Sequence, residues 1–110
     1  MKIIPINIQS KYIPFILSNK KTAEGRLNKG KFAKIKVGDI LEINKEKMQV
    51  KVIEKNVYPN FKEMIEKEGV ANVMPDKNNI QDAVSAYYEF YTKEQEKEFG
   101  VVAIKIKSCT

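Results

Sequence analysis

Several residue types that support common chemistries are scarce or missing in this chain. It has no histidine and no tryptophan, and its one cysteine, Cys109, lies next to the last residue. This composition excludes an intrachain disulfide, a zinc site with Cys/His spacing and any His-based catalytic dyad or triad. Glycine-rich phosphate loops, HExxH helices and aspartate-rich calcium loops are missing too. We therefore expect no metal and no other cofactor.

Long apolar runs are also missing. The longest run near the start, residues 3–8, is interrupted by Pro5 and Asn7 and is far too short for a signal-peptide core or a membrane span. We expect a cytoplasmic protein that does not enter a membrane. The length of 110 residues, with 43% hydrophobic and no linker rich in Gly, Pro or Ser, predicts one domain over residues 1–110.

Positive charge is in excess. Lys and Arg number 20 against 14 for Asp and Glu, which gives a formal net charge of +6. Such an excess favours anionic partners such as nucleic acid, because lysines that neutralise phosphates release counterions. A lysine-rich surface that only keeps the protein in solution has the same composition. Charge alone leaves both interpretations open.

Hydrophobic periodicity predicts a chain that begins and ends with strands. The predicted strands cover residues 2–8, 21–27, 40–43, 48–58 and 101–106, and the predicted helices cover residues 10–18, 61–68, 80–91 and 93–98. Asn60, Asn79 and Thr92 are the predicted N-caps of the last three helices. In the strand over 48–58, Met48, Val50, Val52 and Glu54 are expected to share one face. Residues 28–36 are a loop or a short turn of helix. Because strands outnumber covering helices and several neighbours are joined by hairpins, we predict an α+β fold with a small mixed β-barrel flanked by helices.

Residues 18–27, SNKKTAEGRL, form a charged segment directly after the first predicted helix. Asn19 is a residue type that accepts the left-handed conformation at a helix end. In an extended segment Glu24 and Arg26 share one face, with Lys21 at the rim. A carboxylate between cations has a lowered pKa and stays ionised, so this set can bind a phosphate or a nucleobase edge. A surface array of ion pairs is the alternative interpretation.

Aromatic residues are concentrated in one further place, residues 87–91, YYEFY. Aromatic rings near lysines can stack on nucleobases. At helical spacing, however, they more often belong to the core with a partly exposed edge. We consider stacking the less favoured of the two interpretations.

The charged segment is also where a family resemblance begins. Residues 21–27, KTAEGRL, resemble the signature of the ASCH domain, a branch of the PUA-like superfamily, whose motif runs Gly-x-Lys-x-x-Glu with an arginine two positions later. Further stretches resemble family landmarks in the same order: VGDIL at 37–41, YPNFKEM at 58–64, VMP at 73–75 and FGVVAI at 99–104. The resemblance covers nearly the whole chain. Asn19 stands where the family has its glycine.

The resemblance implies an RNA-binding role, because PUA domains bind RNA on a small β-barrel with a cleft beside the first helix. The expected partner is RNA, a nucleotide or a modified nucleoside. Lys21 and Arg26 would hold a phosphate or a carbonyl, and Glu24 would accept hydrogen bonds from a cytosine-like amino group. Further expected ligand- or RNA-binding residues are Asn19, Lys20, Lys29, Lys31 and Lys34.

The resemblance leaves an enzymatic alternative open. Some small bacterial relatives hydrolyse the acetyl amide of N4-acetylcytidine, and the lysine matching Lys21 is implicated in catalysis there. Those relatives have a threonine where this chain has Glu24, and they use a glutamate from a later helical region. Lys21, Glu24 and Glu68 are therefore the candidate catalytic residues if the protein is an enzyme. A carboxylate beside a lysine favours the charged ammonium, which favours binding over nucleophilic chemistry.

Overall fold

The structure is a computed structural model that describes residues 1–45 and 47–109. Five strands in this part of the chain form one sheet: β1 (Ile3–Ile6), β2 (Ala23–Leu27), β3 (Ile40–Ile43), β4 (Met48–Tyr58) and β5 (Val101–Ser108). Their order is β1-β3-β4-β5-β2. β1 pairs with β3 in parallel, and the other pairings are antiparallel.

Helices flank this sheet. The described residues form six α-helices, the first preceded by a 3₁₀ turn at Ser10–Tyr12: α1 (Ile13–Leu17), α2 (Gly30–Lys34), α3 (Phe61–Glu68), α4 (Val70–Val73), α5 (Ile80–Tyr87) and α6 (Lys93–Phe99). α3 packs on β5 and on α5. The predicted α+β class, with a small mixed barrel-like sheet flanked by helices, is confirmed. None of these helices is long and apolar enough to cross a membrane.

The core lies between the concave face of the sheet and the helices. In β4, Met48, Val50 and Val52 are buried while the residues between them are exposed, as the alternation in the sequence predicts. The pairing of β4 with β5 shifts register between Val52 and Glu54. Glu54, expected on the same face as Val52, is exposed instead, because a bulge reverses the alternation.

Helix starts follow the predicted capping signals. The side chains of Asn60 and Asn79 each accept a hydrogen bond of 2.8 Å from the backbone N–H three residues later, at the starts of α3 and α5. Thr92 and Gln95 form a capping box at the start of α6. Gly69, with φ of 96°, ends α3.

Several local elements differ from the predicted bounds or add detail to them. The helix predicted over 10–18 is a 3₁₀ turn followed by α1, and no side chain caps either of them. The helix predicted to reach residue 91 ends at Tyr87, and a turn joins it to the capping box of α6. The short helix α4 was not predicted, because four residues carry too little periodicity to be recognised. The basic stretch at 28–36 contains α2.

Two side chains connect the edges of the sheet. β1 and β2 are the outermost strands. Arg26, on β2, donates from Nη2 to the carbonyl oxygen of Asn7, which follows β1. Lys31, on α2, donates to the carbonyl oxygen of Pro5 at 2.5 Å. These bonds hold the two edges near each other, so the curled sheet encloses one side of the cleft described next.

Candidate functional site

A cleft of about 220 Å³ lies beside β2. Residues 7–9, the start of β2, the end of α4 and residues 87–91 contribute to its wall. Three charged side chains, Lys21, Glu24 and Arg26, line it together with four aromatic ones, Tyr12, Tyr87, Phe90 and Tyr91. The structure thus places the three charged residues singled out in the sequence in one cleft, beside the first helical segment.

Lys21 lies deeper than the sequence predicts. It is 2% exposed, and its Nζ donates to the carbonyl oxygens of Ala23 at 2.6 Å and Val73 at 2.5 Å. The third partner is Glu24, whose Oε1 lies 3.1 Å from the same nitrogen. The predicted position at the rim is therefore wrong. β2 begins two residues after Lys21, so the strand alternation does not apply to it and its side chain turns inward.

Glu24 and Arg26 share one face of β2, as the alternation predicts. Nε of Arg26 lies 2.6 Å from Oε2 of Glu24. Burial alone would raise the pKa of Glu24, but the charges of Lys21 and Arg26 and their hydrogen bonds hold that pKa below its ordinary value. Burial would lower the pKa of the Arg26 guanidinium. The charge of Glu24 and its hydrogen bond outweigh burial and raise that pKa. The cleft therefore presents an ionised carboxylate fixed between two cations.

Aromatic rings form another part of the wall. The ring centroid of Tyr12 lies 5.2 Å from Nζ of Lys21, and its hydroxyl donates to Oδ1 of Asp76 at 2.8 Å. Tyr87 and Tyr91 stack against Phe61, at centroid distances of 4.2 and 5.6 Å. Burial raises the pKa of Tyr12, Tyr87 and Tyr91. Their hydroxyls are therefore protonated near neutral pH. The hydroxyl of Tyr12 already donates to Asp76, so Tyr87 and Tyr91 are the two that can donate to a ligand.

Sequence reasoning missed two features of this wall. The helical spacing of residues 10–18 groups Tyr12 with apolar residues, and no signal in the neighbouring sequence indicates that its ring covers Lys21. The strand pattern gives Gly25 no special role, yet a Cβ there would lie 2.5 Å from both Cε of Met64 and the hydroxyl oxygen of Tyr87. A glycine is needed at position 25 because the side chains of Met64 and Tyr87 pack directly onto the backbone of β2 there.

The remaining predicted residues near β2 lie outside the cleft. Asn19 adopts the left-handed conformation, with φ of 62°, as predicted. Asn19 and Lys20 are exposed and do not line the cleft. Lys29, Lys31 and Lys34 are exposed on or next to α2, and the first two line a neighbouring hollow.

Glu68, the candidate second acid, is at a different place. Its Oε2 accepts hydrogen bonds from the hydroxyl of Tyr58 at 2.5 Å and from Nδ2 of Asn56 at 3.1 Å. It does not line the cleft. Among the described residues that do line it, Glu24 is the one with a carboxylate. The structure therefore does not bring Lys21, Glu24 and Glu68 together.

The curled five-stranded sheet with a cleft beside the first helix is a PUA-like fold, a fold that is often linked to RNA binding. The family model of the ASCH domain matches residues 6–110. This chain belongs to the ASCH domain family, as the sequence landmarks predict.

Two solved structures are similar over nearly the whole chain. The crystal structure of hypothetical protein PH0355 is 45% identical in sequence, with a TM-score of 0.94, and the match covers 98% of this chain and 99% of that one. The solution NMR structure of protein PF0455 from Pyrococcus furiosus is 38% identical, with a TM-score of 0.85, covering 99% of this chain and 98% of that one. No curated protein matches this chain.

Proposed function

We propose that this protein binds RNA, or a nucleotide or modified nucleoside, by taking one nucleobase into the cleft beside β2. The observation that carries the proposal is the ionised carboxylate of Glu24, fixed between Lys21 and Arg26 on the wall of a cavity lined with aromatic rings. A rigid carboxylate in such a place recognises an amino group, and aromatic rings recognise the flat face of a base.

Glu24 and Arg26 each have hydrogen-bonding positions that are not used within the protein, and these support a way of binding a base. A carboxylate has about four lone-pair positions, and Lys21 and Arg26 each use one of those of Glu24. The guanidinium has five N–H donors, of which Nε is used by Glu24 and one on Nη2 by Asn7. Glu24 can therefore accept from an amino group while Arg26 donates to a neighbouring carbonyl or ring nitrogen. Cytosine has that combination of groups on its base-pairing edge.

Lys21 has a different role in this proposal. Its ammonium has three donors, and all three have partners within the protein. Lys21 is thus a positioning residue, which holds Glu24 in place and keeps it charged. A hydrolase that uses Lys21 as a base or nucleophile would have to release these contacts and neutralise the ammonium. No second carboxylate among the described lining residues supports that chemistry, so binding is the better-supported function.

Titration of ¹⁵N-labelled protein with the four nucleoside 5′-monophosphates, followed by NMR, tests the proposal. We expect at least one base with an amino group to shift the amide resonances of Glu24, Gly25 and Tyr91. Glu24→Gln and Arg26→Lys should each weaken that binding about tenfold or more, because a charge-assisted contact is lost or loses its planar geometry. Glu98→Gln, at an exposed acid outside the cleft, is the matched control and should bind normally.

Two results would contradict this function. If none of the monophosphates, and no short RNA of mixed sequence, shifts the cleft amides, nucleobase binding is wrong. If N4-acetylcytidine is converted to cytidine by the wild-type protein and not by Lys21→Met, the protein is the hydrolase of the alternative interpretation.

A further inference from the structure

A second hollow adjoins the cleft, here called the side groove. Its volume is about 280 Å³. Its lining is mainly apolar, with two lysines, and consists of Leu27, Lys29, Gly30, Lys31, Phe32 and Tyr91. Five of these six residues belong to β2, α2 or the short link between them. The proposed binding of one base does not use this groove.

The side groove shares part of its wall with the cleft. Tyr91 lines both hollows. The guanidinium of Arg26, in the cleft, lies 4.6 Å from the ring centroid of Phe32, in the groove. A ligand that fills the cleft and extends past Tyr91 would therefore reach the groove.

The chemistry of the groove matches a nucleotide. Arg26 lies over the ring of Phe32, and Phe61 stacks on Tyr91, so the remaining face of each ring is the surface on which a base can stack. Lys29 and Lys31 are exposed and provide positive charge for a phosphate. Nζ of Lys29 lies over the ring of Phe99 at 4.7 Å, and Nζ of Lys31 bonds to Pro5. Phe99 and Pro5 do not line the groove, but both lysines do, and each ammonium retains donors for a phosphate.

We propose that the side groove binds the nucleotide adjacent to the one in the cleft, so that the ligand is single-stranded RNA of at least two nucleotides rather than a free nucleoside. This inference rests on the proposed function, because it needs a base in the cleft. Aromatic surface and positive charge, placed one beside the other next to the cleft, are what a second base and its linking phosphate require.

Comparison of a nucleoside monophosphate with ribodinucleotides containing the same nucleoside tests this inference. The monophosphate should shift the amides of Gly25 and Tyr91 and leave those of Gly30 and Phe32 in place, whereas a dinucleotide should shift all four. The dinucleotide should bind at least about fivefold more tightly, the smallest gain expected from one added stacking contact.

Variants in the groove distinguish binding in the side groove from binding in the cleft. Phe32→Leu keeps an apolar side chain but removes the aromatic face, and Lys29→Ala removes one positive charge. Lys29→Ala should reduce the dinucleotide advantage and leave the affinity for the monophosphate unchanged. Phe32→Leu should weaken dinucleotide binding by a larger factor than monophosphate binding, because the ring of Phe32 also contacts the guanidinium of Arg26. Lys29→Ala should also lower the slope of log affinity against log salt for the dinucleotide by about 0.7, the value for one phosphate contact with a single strand. Lys34→Ala, in α2 but outside the groove, is the matched control.

The possible failures are distinguishable. If monophosphates shift the cleft amides but dinucleotides bind no more tightly, the side groove is not a subsite and the proposed function stands. The same conclusion follows if the groove variants weaken both ligands by one common factor. If neither ligand shifts the cleft amides, the proposed function itself is wrong, and this inference is wrong with it.

Discussion

Glu24 and Glu96 are both buried, at 9% and 7% exposure, and their surroundings differ. Glu96 accepts hydrogen bonds from two neutral donors, the backbone N–H of Phe61 at 2.8 Å and the hydroxyl of Tyr88 at 2.7 Å. It thereby connects α6 to the first residue of α3. Glu24 is bound by two cations and faces a cavity. Burial is thus common to both carboxylates, and the proposed function rests on the open cavity in front of Glu24.

The largest expected effect on the stability of the protein is that of Lys21→Met. The change leaves Glu24 with one cation and removes the donor to two backbone carbonyls. Breaking a buried ion pair by removing one partner costs about 3–5 kcal/mol, so we expect a loss of that size in the free energy of unfolding. Urea denaturation followed by circular dichroism measures it. A loss under about 1 kcal/mol would mean that Lys21 is not the residue that compensates Glu24.

Glu96→Ala should have a smaller effect on stability and none on binding. It removes the acceptor at the start of α3 and leaves the hydroxyl of Tyr88 without its partner, at a cost of about 1–3 kcal/mol. We expect nucleotide affinity to match that of the wild type, in contrast to Glu24→Gln. The two variants should be compared by NMR titration at a temperature where both are folded. Equal loss of binding in both would remove the distinction between these carboxylates.

The pH dependence of stability should also distinguish Glu24. Because its pKa is lowered in the folded protein from an ordinary value of 4.5, Glu24 contributes stability that is present above that value and is lost as the pH falls through the folded pKa. The free energy of unfolding of the wild type should therefore fall in acid more steeply than that of Glu24→Gln. The two proteins should become closer in stability as the pH falls below about 4.5. Parallel curves would contradict this expectation.

The smallest expected effect is that of Tyr88→Phe. Burial and the hydrogen bond to Glu96 raise the pKa of Tyr88 to about 12, so the hydroxyl is a donor at any ordinary pH. Its removal leaves Glu96 bonded to the N–H of Phe61 and should cost about 0.5–1.5 kcal/mol. Thermal unfolding measures this change, with nucleotide affinity unaltered. A loss as large as that of Glu96→Ala would show that the hydroxyl, and not the backbone N–H, is the main partner.

Local sequence signals predicted the features of this fold that depend on neighbouring residues. The alternation of β4 and the caps Asn60, Asn79 and Thr92 are set within a few positions along the chain, and so is the common face of Glu24 and Arg26. The position of Lys21 could not be predicted, because one of its partners is the carbonyl of Val73, far away in sequence. The aromatic wall likewise depends on how residues 87–91 pack against Phe61.

The position of β2 in the sheet has a consequence for how the site is made. β2 is an edge strand, and β5 is its single neighbour in the described sheet, with Glu24 opposite Ile104 and Arg26 opposite Val102. During synthesis, residues 21–27 leave the ribosome long before residues 101–108. Residues 23–27 therefore acquire their strand partner only when the last strand has been made, through the pairing of greatest sequence separation in the described sheet. Such pairings form slowly, so ligand binding should be a late event in refolding.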